Sequence, residues 1–390
     1  MIWTITQLTT GSDQQQFHSH SYYDIPVLNT EGNKLVAYRT IFEERQPSPS
    51  DSVDVGIIDL STPGSWQTIG RTTAWSWQQG PMAQWVKGRN AVIWNSREGD
   101  GFVANLYDLD TETCSTLPRS IYAIAPNGQH GLSLDMGRLD TLRPGYGYAL
   151  NNKPKKLTLL PKDVGVWKVN LDGSRDELIL SLKDARNWLI RQFTLRTRLK
   201  HHLKRYAYWF NHAKISPDGK RFTVKLRWRE VGGSWTDKQG VSLTADMDGK
   251  NLRYLANATS HVIWQTNDIA YFWRYEEVSV YKDTSPQGTY IGQIGDGIIK
   301  RNVHLRHLPP DSTNTPSEYI FDTPYVETVS LNILETKTET VQQIAEFTGH
   351  TPARGPYRCD LHPVPDSTGN KIIVTSLQDG GRQIYLLERS

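Results

Sequence analysis

The stretch DSTGNKIIVTSLQDGGRQIYLLE (366–388) decides the fold. A polar turn, DSTGN, leads into a short strand, KIIVTS (371–376), and a second strand, RQIYLLE (382–388), follows. The same two-strand phrase runs through the whole chain. Its first members read KLVAYR (34–39), AVIWNS (91–96), HGLSLD (130–135), RFTVKLRW (221–228), IAYFWR (269–274), SEYIFDT (317–323) and KIIVTS. The second members read VGIIDLS (55–61), VANLYDLDT (103–111), GVWKVNLDG (165–173), VSLTADMDG (241–249), VSVYKDTS (278–285), VSLNILETKT (329–338) and RQIYLLE. Turns such as NTEGN, APNGQ and SPDGK precede several first strands, and many second strands close on D-x-(D/T). Most copies are spaced near the roughly 40–50 residues of a propeller blade.

Seven copies of one phrase predict an all-β, seven-bladed β-propeller formed as a single domain over 1–390. A closed arrangement hides the sheet edges, and the N-terminal WTITQLTT is expected to complete the last blade as its outermost strand. The competing all-β architecture is a β-sandwich. The 13 Trp and 18 Tyr suit face-to-face packing of short strands, and core packing accounts for most of them. Some would also suit a surface that stacks on sugar rings.

Net charge is +3, which argues against a polycation that binds nucleic acid by bulk charge. Two cysteines, Cys114 and Cys359, do not make a disulfide scaffold. No apolar run approaches the roughly 20 residues of a membrane helix. MIWTITQLTTGSDQQQ lacks a basic start followed by an apolar run. A cytoplasmic location is therefore expected, or a secreted or periplasmic one if a leader precedes this sequence.

The long interval between the third and fourth copies holds KDARNWLIRQFTLRTRLKHHLKR (183–205). Leu189, Phe193 and Leu203 fall roughly at helical spacing, which predicts a helical insertion. It carries Arg186, Arg191, Arg196, Arg198, Lys200, Lys204 and Arg205 against one acid, Asp184. Such a helix is either a solvated rim element or a positive wall beside a cleft for an acidic polymer, with Arg191, Arg196 and Arg198 as contacts.

Residues just before each first strand of a propeller gather at one end of its channel. These segments are FHSHSYYDIP (17–26), QQGPMAQW (78–85), RLDTLRPGYGY (138–148), YWFNHAKISPDG (208–219), SHVIWQ (260–265), GDGIIKRNVHLRH (295–307) and YRCDLHP (357–363). Histidine recurs in them as His18, His20, His212, His261, His304, His307 and His362. One such histidine is more often structural than functional. Several together, with Asp360 or Cys359, suit a divalent metal held by His362, Asp360, His212, His261 and Cys359, or acid–base work on a sugar. His20, Tyr22, Gln84, Trp85, Asn211 and Arg358 are candidate substrate contacts. In RPGYGY, Gly145 and Gly147 leave Arg143, Tyr146 and Tyr148 to project from a loop. The alternatives are a tight turn with packed tyrosines, or an Arg that pairs with a carboxylate beside a Tyr that moves a proton.

FNHAKISPDGKRF (210–222), SHVIWQ, RCDLHPVPDSTGNKIIVTS (358–376) and the closing GGRQIYLL (380–387) resemble the propeller polysaccharide lyases. These are the oligogalacturonate lyases and, more loosely, the ulvan lyases. The resemblance implies an H-x-H-P phrase that holds a manganese-type metal at the start of the last blade. DLHP stands there, so His362 matches one ligand and Asp360 replaces the other histidine. It also implies a catalytic His at His261, or a Tyr in a loop similar to RPGYGY. The catalytic histidines of the ulvan lyases fall on Gln84 and Asn105.

The chemistry is coherent on its own. β-Elimination at a 4-linked uronate needs a cation (a metal such as Mn, Zn or Ca, an Arg or a protonated His) to neutralise the carboxylate. A His or Tyr base then takes the C5 proton. No organic cofactor is expected. No paired-carboxylate motif for glycoside hydrolysis and no G-x-S-x-G elbow stands out. The sequence therefore predicts a lyase for an acidic oligo- or polysaccharide, with a non-catalytic glycan- or protein-binding propeller as the alternative.

Overall fold

The computed structural model describes residues 2–234, 236–309 and 316–390. Its strands form seven four-stranded sheets, and the chain is a seven-bladed β-propeller. The repeated phrase supplies the second and third strands of each sheet, for example Lys34–Thr40 with Val53–Asp59, and Lys371–Ser376 with Gln383–Arg389. A first strand precedes each pair, often as short as Gln84–Trp85 or Val364–Pro365. The histidine-bearing segments lie on or beside these first strands.

The turns explain why the phrase repeats. Asn29 Oδ1 accepts from the backbone N–H of Asn33 and Lys34, and Asp366 Oδ1 accepts from Asn370 and Lys371. Each side chain ties its turn to the strand that follows. Gly369 sits in that turn at φ 74°, a left-handed conformation that costs glycine little. At the end of the third strand, Asp108 Oδ1 accepts from Asp110 N, Thr111 N and Thr111 Oγ1. The D-x-(D/T) signature is thus a turn that bonds to itself.

Trp3–Gln7 pairs with Gln383–Arg389, Trp3 opposite Arg389 and Gln7 opposite Tyr385. The N-terminus therefore supplies the fourth strand of the last sheet. Among the described residues no helix is long and apolar enough to cross a membrane.

Backbone contacts divide the chain into two compact units. One comprises Met1–Thr116, Glu276–Val278 and Gln293–Ser390; the other comprises Leu117–Tyr275 and Ser279–Gly292. The first unit buries a cluster that includes Ile320, Leu331, Leu361, Ile372 and Leu387. In the second unit the basic insertion is a pair of helices, α2 (Leu182–Arg191) and α3 (Leu195–Leu203). Ser181 caps α2 by accepting from Asp184 N, and Leu182, Ala185, Leu189 and Ile190 are its buried face. Leu195, Leu199 and Leu203 of α3 remain exposed. A short helix, α1 (Met136–Leu142), capped by Asp135, leads into the loop Arg143–Tyr148.

Candidate functional site

In the first unit Leu361 is fully buried in the core, and its neighbours Asp360 and His362 are buried beside it. Opposite them stands His304, just ahead of the strand Leu305–His307. One ligand-type atom from each of His304, Asp360 and His362 lies within 4.8 Å of the others, and all three residues are buried. His304 and His362 meet edge to face, ring centroids 4.6 Å apart.

Asp322 fixes His304. Its Oδ2 lies 2.8 Å from His304 Nδ1, and its Oδ1 accepts from the His304 backbone N–H at 2.9 Å. Nε2 is left for the cluster. A carboxylate that holds the far nitrogen of an imidazole is the usual support of a metal-binding histidine. Burial disfavours charge on His304, but the carboxylate of Asp322 outweighs it and raises the imidazole pKa. A metal ion would thus displace the imidazole proton on binding. Arg358 Nη2 lies 2.8 Å from Asp360 Oδ2, and Nε donates to Oδ1 at 3.2 Å. Two imidazoles and a carboxylate, oriented and shielded, fit a divalent cation of the manganese or zinc kind.

The structure brings together part of the expected ligand set. His362 and Asp360 are in the cluster, and His304, expected only as a recurring histidine, is the third member. Cys359 stands outside it. Its sulfur lies 3.8 Å from the Thr375 carbonyl, and burial pushes its pKa up to about 12, so it stays a thiol. His212 and His261 belong to the second unit.

Around the triad, the Tyr22 ring packs on His362 at 4.7 Å and the Tyr23 ring on His304 at 5.1 Å. His350, which the sequence reading passed over, uses both nitrogens, on the Cys359 carbonyl and on Ser376 Oγ, and so pins the segment that carries Asp360. His20 and Trp85 are buried, and Gln84 Nε2 donates to the Met82 carbonyl. His18 is a packing residue, bonded to Gln383 and set edge-on to Trp66. Burial lowers the pKa of His18, His20 and His307 to about 4, so these stay neutral.

The second unit carries a separate set. Tyr122 Oη lies 3.0 Å from His212 Nδ1, the Tyr146 ring is 5.7 Å from the His212 ring, and the Arg143 guanidinium lies 4.1 Å over Tyr146. Burial, with Lys214, Arg143, Arg227 and Lys225 nearby, holds the His212 pKa well below its usual value. Tyr148 is a core residue rather than a projecting one. It is fully buried, and its loop lies so close to α1 that a Cβ on Gly147 would come within 2.1 Å of the Met136 carbonyl. Arg198 also has a structural task, donating to the Ile190 and Arg191 carbonyls at the end of α2. Arg191 and Arg196 are exposed.

His212, His261 and His362 share a backbone feature. Each has a left-handed φ, 53°, 53° and 48° respectively. In the first strands of their sheets the register slips between Asn211 and Lys214 and between Ser260 and Ile263. Such bulges re-aim a side chain, and strain of this kind gathers at functional sites.

A cavity of about 580 Å³ opens beside this set, lined by Arg143, Lys225, Arg227, Lys238, Phe193 and Trp228 among others. The lysines and Arg227 were missed in the sequence. The signal for Lys225 and Arg227 is the alternation of RFTVKLRWRE, which puts Phe222, Val224, Leu226 and Trp228 on one face and Thr223, Lys225 and Arg227 on the other. Phe193 joins α2 to α3, so the basic insertion borders this cavity.

Solved structures share this architecture. An oligogalacturonate lyase from Vibrio parahaemolyticus aligns with a TM-score of 0.59 at 12% identity, over 98% of this chain and 93% of that one. An oligogalacturonate lyase in complex with manganese aligns with a TM-score of 0.60 at 14% identity, over 99% and 93%. The tricorn protease aligns at 0.52 and 11%, over 99% of this chain and 34% of its own. The likeness is one of fold. No family model matches the chain, and no curated protein matches it.

Proposed function

We propose that this protein is a polysaccharide lyase that cleaves a uronate-containing oligo- or polysaccharide by β-elimination. The observation that carries the reading is the buried His304–Asp360–His362 cluster with Asp322 behind it. Likeness of fold to oligogalacturonate lyases, one of them a manganese complex, supports it. His304 Nε2, a carboxylate oxygen of Asp360 and His362 would hold a divalent metal, which supplies the Lewis acid that neutralises a uronate carboxylate. Arg358 orients Asp360 and offers a second cation for that carboxylate. Arg143 is assigned the same carboxylate-pairing role in the second unit, and His261 or Tyr146 the proton transfer.

The test is a panel of uronate polymers, watched for the rise in ultraviolet absorbance from unsaturated ends. A second reading, a glycan-binding propeller without catalysis, has one observation in its favour: Arg358 already neutralises Asp360 at 2.8 Å. It predicts binding of acidic glycans with no unsaturated product.

A further inference from the structure

The second helix of the basic insertion is fastened to its blade on one side. His201 of α3 is buried, its Nδ1 2.7 Å from Tyr208 Oη and its ring set among Phe193, Tyr206 and Trp228. Arg186 of α2 donates to the His201 carbonyl at 2.8 Å. These contacts hold one face of α3 down, and no other residue of the helix is buried.

The opposite face carries Leu195, Leu199 and Leu203, which are 79%, 55% and 74% exposed. At about 3.6 residues per turn, a step of four advances about 40° around the helix, so the three leucines form one stripe about 80° wide. The stripe is centred nearly opposite His201. Val231, 42% exposed, extends it, because its backbone N–H donates to the Arg205 carbonyl just past the helix. Single exposed leucines are ordinary, but a line of them is an apolar surface without a partner. Cations flank the stripe. Arg196 and Lys200 run along one side, His202 lies on the other, and Arg205 follows the helix, all of them exposed. Asp184, the one acid of the insertion, accepts from the Ser181 hydroxyl, and Glu230 is paired with Lys204 at 2.6 Å.

We infer that α3 docks on a bilayer surface that carries anionic lipids, its leucines entering the headgroup layer and Arg196, Lys200 and Arg205 lying on lipid phosphates. Leucine beside Lys and Arg is the pattern of helices that rest in a membrane interface, where long cationic side chains reach back to the headgroups. Charge and shape select this occupant. A second copy of the chain would set cations against cations around the leucines. A soluble acidic glycan would leave the leucines in water. An acidic protein would need a groove to take the exposed ridge, whereas a bilayer offers an apolar layer beneath an anionic one over its whole area. A helix of 9 residues gives weak, reversible attachment, independent of the reaction the propeller performs.

The test is flotation of the full chain with vesicles of pure phosphatidylcholine and of an equimolar mixture with phosphatidylglycerol. The protein should float with the mixed vesicles and stay behind with the neutral ones, and added salt should weaken flotation. Leu199→Ser combined with Leu203→Ser should weaken vesicle binding by about tenfold or more, because two side chains lose their burial in lipid. The same double variant should keep its melting temperature and any action on uronate polymers, since both leucines are exposed. Arg196→Glu combined with Lys200→Glu should weaken vesicle binding by a similar factor. Equal flotation with both vesicle types would overturn the proposal, as would no flotation with the mixed vesicles or unchanged binding by the leucine variant. Sedimentation velocity supplies the remaining check: the protein should run as the same species with and without the two leucines. A dimer that the leucine variant fails to form would assign the stripe to a second copy and overturn the membrane contact.

Discussion

His304 and Asp322 form a pair with both side chains fully buried, imidazole Nδ1 to carboxylate Oδ2 at 2.8 Å, and the same carboxylate holds the His304 backbone N–H. Asp322→Asn keeps the shape but removes the charge that fixes the imidazole. Removal of such a support costs about 10–100-fold in metal affinity. Calorimetric titration with Mn²⁺ should show a loss of that order, with the fold retained by circular dichroism. Unchanged affinity would mean that His304 is not a ligand.

Acid should destabilise the protein before its carboxylates titrate. His18, His20 and His307 are held neutral by burial, with pKa values lowered from 6.5 to about 4. Between those values the unfolded chain binds protons that the folded chain does not, so stability falls as pH drops through this window. The melting temperature should decline steadily from pH 6.5 to 4. A flat profile would contradict the burial of these imidazoles.

The cationic cavity should lose charge in mild alkali. Burial first, then Arg143 and Arg227, lower the Lys238 pKa from 10.5 to about 8. Its charge, and with it the affinity for trigalacturonate, should fall as pH rises through 8, and Lys238→Arg should shift that loss to higher pH. Affinity constant from pH 7 to 9 would contradict it.

Arg196 and Arg198 sit two residues apart on α3 and should behave differently. Arg198→Ala removes two hydrogen bonds to the last carbonyls of α2 and should cost about 0.5–1.5 kcal/mol per bond. Arg196→Ala, on the exposed side, should change stability by no more than about 0.5 kcal/mol. Denaturant titration of the two variants measures the difference.

The fold was legible because a propeller writes its period into its turns. Asp108, Asp366 and Asn29 each bond to nearby backbone N–H groups, so similar polar residues recur in the turns of several blades. The N-terminal closing strand followed from the unpaired edge that the last phrase would otherwise leave. The site was legible only in part. His362 and Asp360 stand in one short segment, whereas Asp322 and His304 meet them through tertiary packing that sequence spacing does not encode. Tyr146 and Tyr148 look alike in RPGYGY and both are buried, but only tertiary packing sets Tyr146 against His212 and Arg143. Lys225 and Arg227 were visible as one face of an alternating strand, yet only burial shows that face to be enclosed.

The most direct measurement is ultraviolet absorbance during incubation of the Mn²⁺-loaded protein with galacturonate, glucuronate and sulfated uronate polymers. A lyase should release unsaturated ends from at least one of them, with the signal lost on chelation and in His362→Ala. Folded, metal-loaded protein that binds such a polymer but yields no unsaturated ends would contradict the lyase reading and leave a glycan-binding propeller.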